Sequence, residues 1–87
     1  MKIKEGFMLR NVAGNYVVVA VGEASKNFSG VITLNGSGAF LWEQLTKEVT
    51  EEQLLQALLN EYEVSEEVAK KDVQLFVSKL KEANIIE

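Results

Sequence analysis

The N-terminal part of the chain consists of short apolar runs separated by turn residues, which is typical of β-strands. Two such runs, residues 7–12 (FMLRNV) and 16–21 (YVVVAV), flank Ala13-Gly14-Asn15, in which glycine and asparagine tolerate positive φ. The pattern predicts an antiparallel hairpin. The continuous β-branched run of the second strand indicates that both of its faces are at least partly covered. After a polar segment interpreted as a loop, a third strand is predicted at about residues 29–34.

The remainder of the chain has helical spacing, interrupted by capping residues. Asn35 is the predicted N-cap of a first helix that continues to about residue 45 or 46. Its apolar stripe contains Leu41, Trp42 and Leu45, so Trp42 is predicted to lie in the core. A capping box, with Gln53 three residues after Thr50, predicts a second helix over about residues 51–62.

The third predicted helix is capped by Ser65 and ends near residue 83, and it carries more apolar positions than one buried face requires. Its main stripe has spacings of four, three, four and three, and comprises Ala69, Val73, Phe76, Leu80 and Ala83. A second apolar line, Val68 and Leu75, flanks the stripe, and Val77 stands apart from both. We therefore expect this helix to contact more than its own core. Ile85 and Ile86 are expected to pack back onto the body.

The order of three strands followed by three helices defines the predicted fold class. It is typical of an α+β domain in which helices cover one face of a small antiparallel sheet. No repeat or linker interrupts the 87 residues, so one domain spanning residues 1–87 is expected.

Composition disfavours most enzyme chemistries. The chain has no cysteine and no histidine, which removes the thiolate nucleophile, the Cys-based metal sites and the commonest general base. No catalytic residue, bound metal or cofactor is therefore expected. The sequence also lacks an apolar run of about 18 residues and the apolar core of a signal peptide. A cytoplasmic protein without membrane contact is expected.

Charge is distributed unevenly along the chain. Residues 1–42 hold four basic and two acidic residues (+2), whereas residues 43–87 hold five lysines and eleven acids (−6). A winged-helix DNA-binding regulator is the alternative function, because the helix order permits it and the third helix carries Lys70, Lys71, Lys79 and Lys81. The acidic balance of the helical half, and the absence of arginine from the third helix, disfavour nucleic acid.

Two further motifs have structural explanations. Asn35-Gly36-Ser37-Gly38 superficially resembles a phosphate-binding turn, but Leu41 stands where the dinucleotide fingerprint wants a third small residue. We interpret it as a tight strand-to-helix turn. The acid pairs Glu51-Glu52 and Glu66-Glu67 lie in predicted first helical turns, where the helix dipole favours acids without any chemistry.

The uncharged third strand has two interpretations that the sequence leaves open. It is either an inner or covered strand, or an open edge that accepts an extended peptide as a fourth strand. In the second case the surplus apolar positions on the third helix would form the wall of a groove.

Several of these residues together resemble the PqqD-like family, the precursor-peptide recognition elements of pathways that make ribosomally synthesised, post-translationally modified peptides. The most specific part of the resemblance is the pattern Leu34-Asn35-x-x-Gly38-Ala39-x-x-Trp42 within GVITLNGSGAFLWEQL. The preceding YVVV and VGEA runs, the TEE start of the second helix and its EYEV end extend it over roughly residues 7–86. Ala20 is a minor departure, because many relatives carry proline in the second strand.

The resemblance implies a winged-helix-like fold of three strands and three helices without catalytic activity. Such proteins bind the leader segment of a precursor peptide as an added β-strand, in the cleft between the third strand and the third helix. They deliver it to a modifying enzyme, which is a radical S-adenosylmethionine protein in the pathway that names the family. The partners implied here are a leader peptide and such an enzyme, with the protein a monomer or a homodimer. Carried over to this chain, the pairing strand is Val31, Ile32, Thr33 and Leu34, and the wall, chosen by helical spacing, is Val68, Asp72, Leu75, Phe76 and Lys79.

Overall fold

A computed structural model describes residues 1–28 and 32–86 of the chain. Its elements in chain order are β1 Phe7–Val12, β2 Asn15–Ala20, α1 Ala24–Asn27, β3 Ile32–Leu34, α2 Gly36–Gln44, α3 Glu51–Glu61 and α4 Glu66–Glu82. The predicted α+β class, a three-stranded antiparallel sheet followed by three helices, is confirmed. The short helix α1 is an addition, since the polar segment that contains it was expected to be a loop. The predicted start of the third strand, residues 29–31, lies outside the described residues.

The β1–β2 hairpin closes over a two-residue turn. Val12 is paired with Asn15, and the intervening Ala13 and Gly14 have φ values of 51° and 83°. Two successive positive φ values give the turn the twist that a tight hairpin requires. The predicted turn Ala13-Gly14-Asn15 is therefore one residue longer than the observed turn, because Asn15 already belongs to β2.

Alternation along the sheet places one face of each strand on the helices. In β2, Val18 is buried, whereas its neighbours Val17 and Val19 are half-buried on the opposite face. The exposed side chains of Met8 and Val12 extend that outer face along β1. The inner face contributes Val18 from β2 and Leu34 from β3 to the core.

The helices build the rest of the core, with α3 in contact with both α2 and α4. Trp42 is buried, as its position on the first helical stripe predicts. The buried core cluster comprises Val18, Leu34, Leu41, Trp42, Leu45, Leu54, Leu55, Leu58, Ala69, Val73, Phe76, Val77, Leu80, Ile85 and Ile86. The C-terminal pair Ile85 and Ile86 packs back onto the body as expected, and Ile86 pairs with Ile3 in an isolated β-bridge.

The burial of α4 differs from the prediction at one residue. Val77, which the pattern left apart, is buried. Val77 lies four residues after Val73 and three before Leu80, so its side chain is on the same helix face as these two buried residues. The wider buried face leaves Val68 and Leu75 as the exposed large apolar side chains of α4.

Candidate functional site

The third strand lies at an edge of the sheet. The strand order is β1-β2-β3, so β3 has β2 on one side. Within residues 1–28 and 32–86, no other strand pairs with its far side. Of the two interpretations left open by the sequence, the structure therefore supports the open edge for Ile32–Leu34. A strand of this kind presents backbone hydrogen-bonding groups that another chain can pair with.

The register of the hairpin determines whether the backbone N–H and C=O groups of each β2 residue point toward β1 or toward β3. In a hairpin closed by a two-residue turn, the residues that flank the turn, here Val12 and Asn15, exchange hydrogen bonds. Hydrogen-bonded pairs then recur at every second residue. The backbone N–H of Val21, which donates to the carbonyl of Gly6 at 2.7 Å, fits this alternation. The backbone groups of Tyr16 and Val18 consequently face away from β1, toward β3.

The same alternation identifies the free groups of β3. Ile32 pairs with Val18 and Leu34 pairs with Tyr16, so the backbone groups of Ile32 and Leu34 are directed at β2. Thr33 lies between them, and its N–H and C=O point to the open side. Thr33 is therefore the described residue of β3 whose backbone an incoming strand would meet.

A groove of about 350 Å³ runs between this edge and α4. One side is formed by the end of β3 and the start of α2, and the other by two turns of α4. The lining residues are Thr33, Leu34, Asn35, Ser37, Gly38 and Leu41 on the first side, and Asp72, Leu75, Phe76 and Lys79 on the second.

Six of the nine residues predicted for the site line this groove: Thr33, Leu34, Asp72, Leu75, Phe76 and Lys79. Ile32 does not line it and is half-buried against the core. Val68 does not line it either, but it is 50% exposed and lies one helical turn before Asp72. Val31 lies outside the described residues.

Sequence reasoning missed four residues of the groove, namely Asn35, Ser37, Gly38 and Leu41. The Asn35 side chain caps α2 by accepting a hydrogen bond from the Gly38 N–H at 2.8 Å and another from the Ser37 hydroxyl at 3.1 Å. The cap uses the Gly38 N–H, which agrees with the interpretation of this turn as structural rather than phosphate-binding. The available signal was the turn motif itself, which places the start of α2 directly after β3.

Gly38 brings α2 close to β3 at the floor of the groove. A Cβ atom at this position would lie 3.2 Å from the Leu34 Cβ and 3.1 Å from the Asn35 Oδ1. Such contacts are tighter than ordinary van der Waals packing, so glycine suits this close approach of helix and strand. The spacing of leucine, asparagine and glycine in this motif thus has a packing explanation.

The α4 wall combines apolar and charged surface. Leu75 is 62% exposed, whereas its neighbour Phe76 is 8% exposed and reaches the core. Asp72 and Lys79 border this apolar pair on the same helix face and are exposed. They are seven positions apart, which corresponds to about 10.5 Å along a helix axis. Within residues 1–28 and 32–86, neither side chain forms an ion pair.

Two further features of the described residues bear on function. No group of three or more His, Cys, Asp or Glu side chains among them is placed to hold a metal ion. None of the described helices combines the length and apolar character needed to cross a bilayer.

Comparison with known proteins gives one family and two similar structures. Residues 11–86 match the model of the family described as coenzyme PQQ synthesis protein D (PqqD). No curated protein sequence matches the chain. The solved structure of TbiB1 in complex with the TbiA(beta) leader peptide is 20% identical, with a TM-score of 0.76 over 100% of this chain and 95% of that chain. Lasso peptide synthetase B1 complexed with the leader peptide is also 20% identical, with a TM-score of 0.74 over 97% and 93%. At this identity the two structures establish a shared fold.

Proposed function

The chain belongs to the PqqD family, and on that premise we propose that it binds the leader segment of a ribosomal precursor peptide as a strand added to β3. The observation that carries the proposal is the open edge at Thr33, whose backbone groups face a groove with exposed apolar surface on its far side. Both similar structures are complexes with a leader peptide, which supports the same class of ligand.

Strand addition would give the peptide two distinct faces. The peptide residue paired with Thr33 would share the outer face of the sheet with the Thr33 side chain, because paired residues point the same way. The residues on either side of it would point toward the inner face, where Leu34, Leu41 and Phe76 lie. Apolar side chains at these alternate positions would fill the groove.

The energy required for such a complex is modest. A micromolar dissociation constant corresponds to about −8 kcal/mol. Backbone pairing contributes about 1 kcal/mol per hydrogen bond, and a fully buried apolar side chain contributes roughly 1.5–3 kcal/mol before the costs of association. One added strand with two or three apolar anchors is therefore a plausible ligand for this groove.

We propose further that the protein delivers its peptide without catalysis of its own. Residues 1–87 would act as one binding domain in the cytoplasm, as a monomer or a homodimer. The recipient would be a peptide-modifying enzyme, for which a radical S-adenosylmethionine protein is the candidate that the family suggests. The peptide-binding site comprises the residues predicted from sequence, Val31, Ile32, Thr33, Leu34, Val68, Asp72, Leu75, Phe76 and Lys79, together with the start of α2.

The alternative of DNA binding has no structural observation in its favour. The α4 helix carries four acids beside its four lysines, and a duplex-binding helix usually presents a basic face. We therefore do not retain this alternative.

A titration followed by NMR tests the proposed function. The probe is the synthetic leader segment of a short precursor peptide encoded beside this gene, added to the ¹⁵N-labelled protein, with a scrambled peptide of the same composition as the control. The largest amide shifts are expected at Ile32–Leu34, the start of α2 and residues 68–79. Shifts confined to the β1–β2 turn or to α3 would contradict the site, and a leader that leaves every amide unchanged would contradict the function.

A further inference from the structure

The α4 wall of the groove carries an ordered series of side chains, from which we infer the chemistry of the peptide. We propose that the groove selects a segment in which an apolar residue is flanked, two positions away on each side, by charges of opposite sign. The basic residue would lie beside Asp72 and the acidic residue beside Lys79. This inference rests on the proposed function and specifies the ligand of the same site.

The spacing of the wall is within about 1.5 Å of the repeat of an extended peptide. Asp72, the pair Leu75 and Phe76, and Lys79 lie on successive turns of α4, about 5.4 Å apart, and all of them line the groove. Side chains on one face of a β-strand recur every two residues, about 6.6–6.8 Å apart. Three consecutive groove-facing residues of a peptide can thus meet these three turns one by one.

The centre of the groove favours an apolar side chain. Opposite the exposed Leu75 and the largely buried Phe76 lie Leu34 and Leu41, which belong to the core. A polar peptide residue at this position would lose water without gaining a partner. The central residue of the motif is therefore apolar.

The ends of the wall favour charges. Asp72 and Lys79 have no ion-pair partner within residues 1–28 and 32–86. The other polar side chains that line the groove, Asn35 and Ser37, are uncharged. A peptide strand laid over the groove would partly exclude water from both charges, which strengthens attraction to an opposite charge and penalises a like charge.

Two peptide directions satisfy this arrangement. One direction gives the order basic-x-apolar-x-acidic and the other gives the reverse order, but in both the two flanking charges are opposite. Exchanging the charges on α4 must therefore invert whichever order the native protein selects. This inversion is the specific signature of the proposal.

Selection from a random library provides the test. A display library of 12-residue peptides is selected in parallel on the native protein and on the double variant Asp72→Lys/Lys79→Asp. The control is Glu23→Lys/Lys26→Glu, which reverses an exposed ion pair at the start of α1 without changing the net charge, at residues that do not line the groove. Circular dichroism melts verify that all three proteins fold.

The expected result is a single charge order enriched by the native protein and by the control, and the opposite order enriched by the groove variant. For one selected peptide, reversing both of its charges should weaken binding to the native protein about tenfold, on the basis of roughly threefold or more per pair. Binding should recover on the groove variant.

Other outcomes distinguish failure of the charge specificity from failure of the proposed peptide-binding function. If both proteins enrich peptides with the same charge order, or with no charge preference, the specificity inference is overturned, and the leader titration still tests peptide binding by the groove. If the native protein enriches no peptide at all, the inference falls, and the leader titration then decides the fate of the proposed function.

Discussion

Val17 and Thr33 lie directly opposite each other in the β2–β3 ladder, and they form a pair that exchanges no hydrogen bonds. The backbone of Thr33 is therefore unused by the sheet and faces the groove. The same relationship separates the stability of the sheet from the binding site, since the bonds that hold β3 come from Ile32 and Leu34.

Thr33→Pro is expected to impair peptide binding while preserving the fold. Proline removes the outward N–H, and it is tolerated on edge strands where that N–H faces away from the neighbouring strand. We expect the free energy of unfolding in urea to change by less than about 1 kcal/mol. The affinity for the leader segment should fall about tenfold, through loss of one backbone bond and crowding by the ring.

The matched control is Thr33→Val, which changes the side chain but keeps the backbone donor. Calorimetric titration of the two variants with the same leader peptide separates these contributions. Unchanged affinity in Thr33→Pro would show that the peptide does not pair with β3 at this residue.

Leu75→Ser is expected to weaken binding without destabilising the protein. The side chain is 62% exposed, so its removal costs the folded state little. In the complex it would be covered, and losing roughly 1–2 kcal/mol of apolar burial corresponds to about a fivefold to thirtyfold weaker affinity. Val12→Ser removes a comparably exposed apolar side chain, at 56%, from the hairpin and should leave peptide affinity unchanged. Equal effects of the two variants on affinity would argue against a specific groove.

Asn35→Ala is expected to destabilise the protein by about 1 kcal/mol, because it removes the N-cap of α2. The Gly38 N–H would lose the acceptor that it contacts at 2.8 Å. Asn35→Asp retains an accepting oxygen and should cost much less. Urea denaturation of the native protein and the two variants measures the difference in the free energy of unfolding. A loss of stability in Asn35→Asp as large as that in Asn35→Ala would contradict the capping role.

Leu54→Ala is expected to destabilise the protein by about 2–5 kcal/mol, since this α3 side chain is fully buried and its truncation leaves a cavity. Gln56→Ala, at an exposed position on the same helix, provides the control and should change stability by less than about 0.5 kcal/mol. Chemical denaturation measures both. A change below about 1 kcal/mol for Leu54→Ala would show that the site repacks.

The sequence by itself determined most local elements of this protein, although the segment that forms α1 was expected to be a loop. Caps at Asn35, Thr50 and Ser65 occur where the pattern predicts them, because each depends on a side chain and a backbone N–H three residues apart. The family pattern around Leu34 and Gly38 identified the fold for the same reason, since it encodes a close approach between consecutive elements. Helical spacing also placed Asp72, Leu75, Phe76 and Lys79 on one face.

Only the tertiary structure decided that this face of α4 lies opposite an open strand edge. Edge status depends on the order of strands in space, which one strand's own sequence does not encode, and the burial of Val77 depends on how α4 packs. The outward direction of the Thr33 backbone follows from the register of all three strands together. The groove exists because the end of β3, the start of α2 and two turns of α4 converge, a relationship between segments about 40 residues apart that local chemistry does not specify.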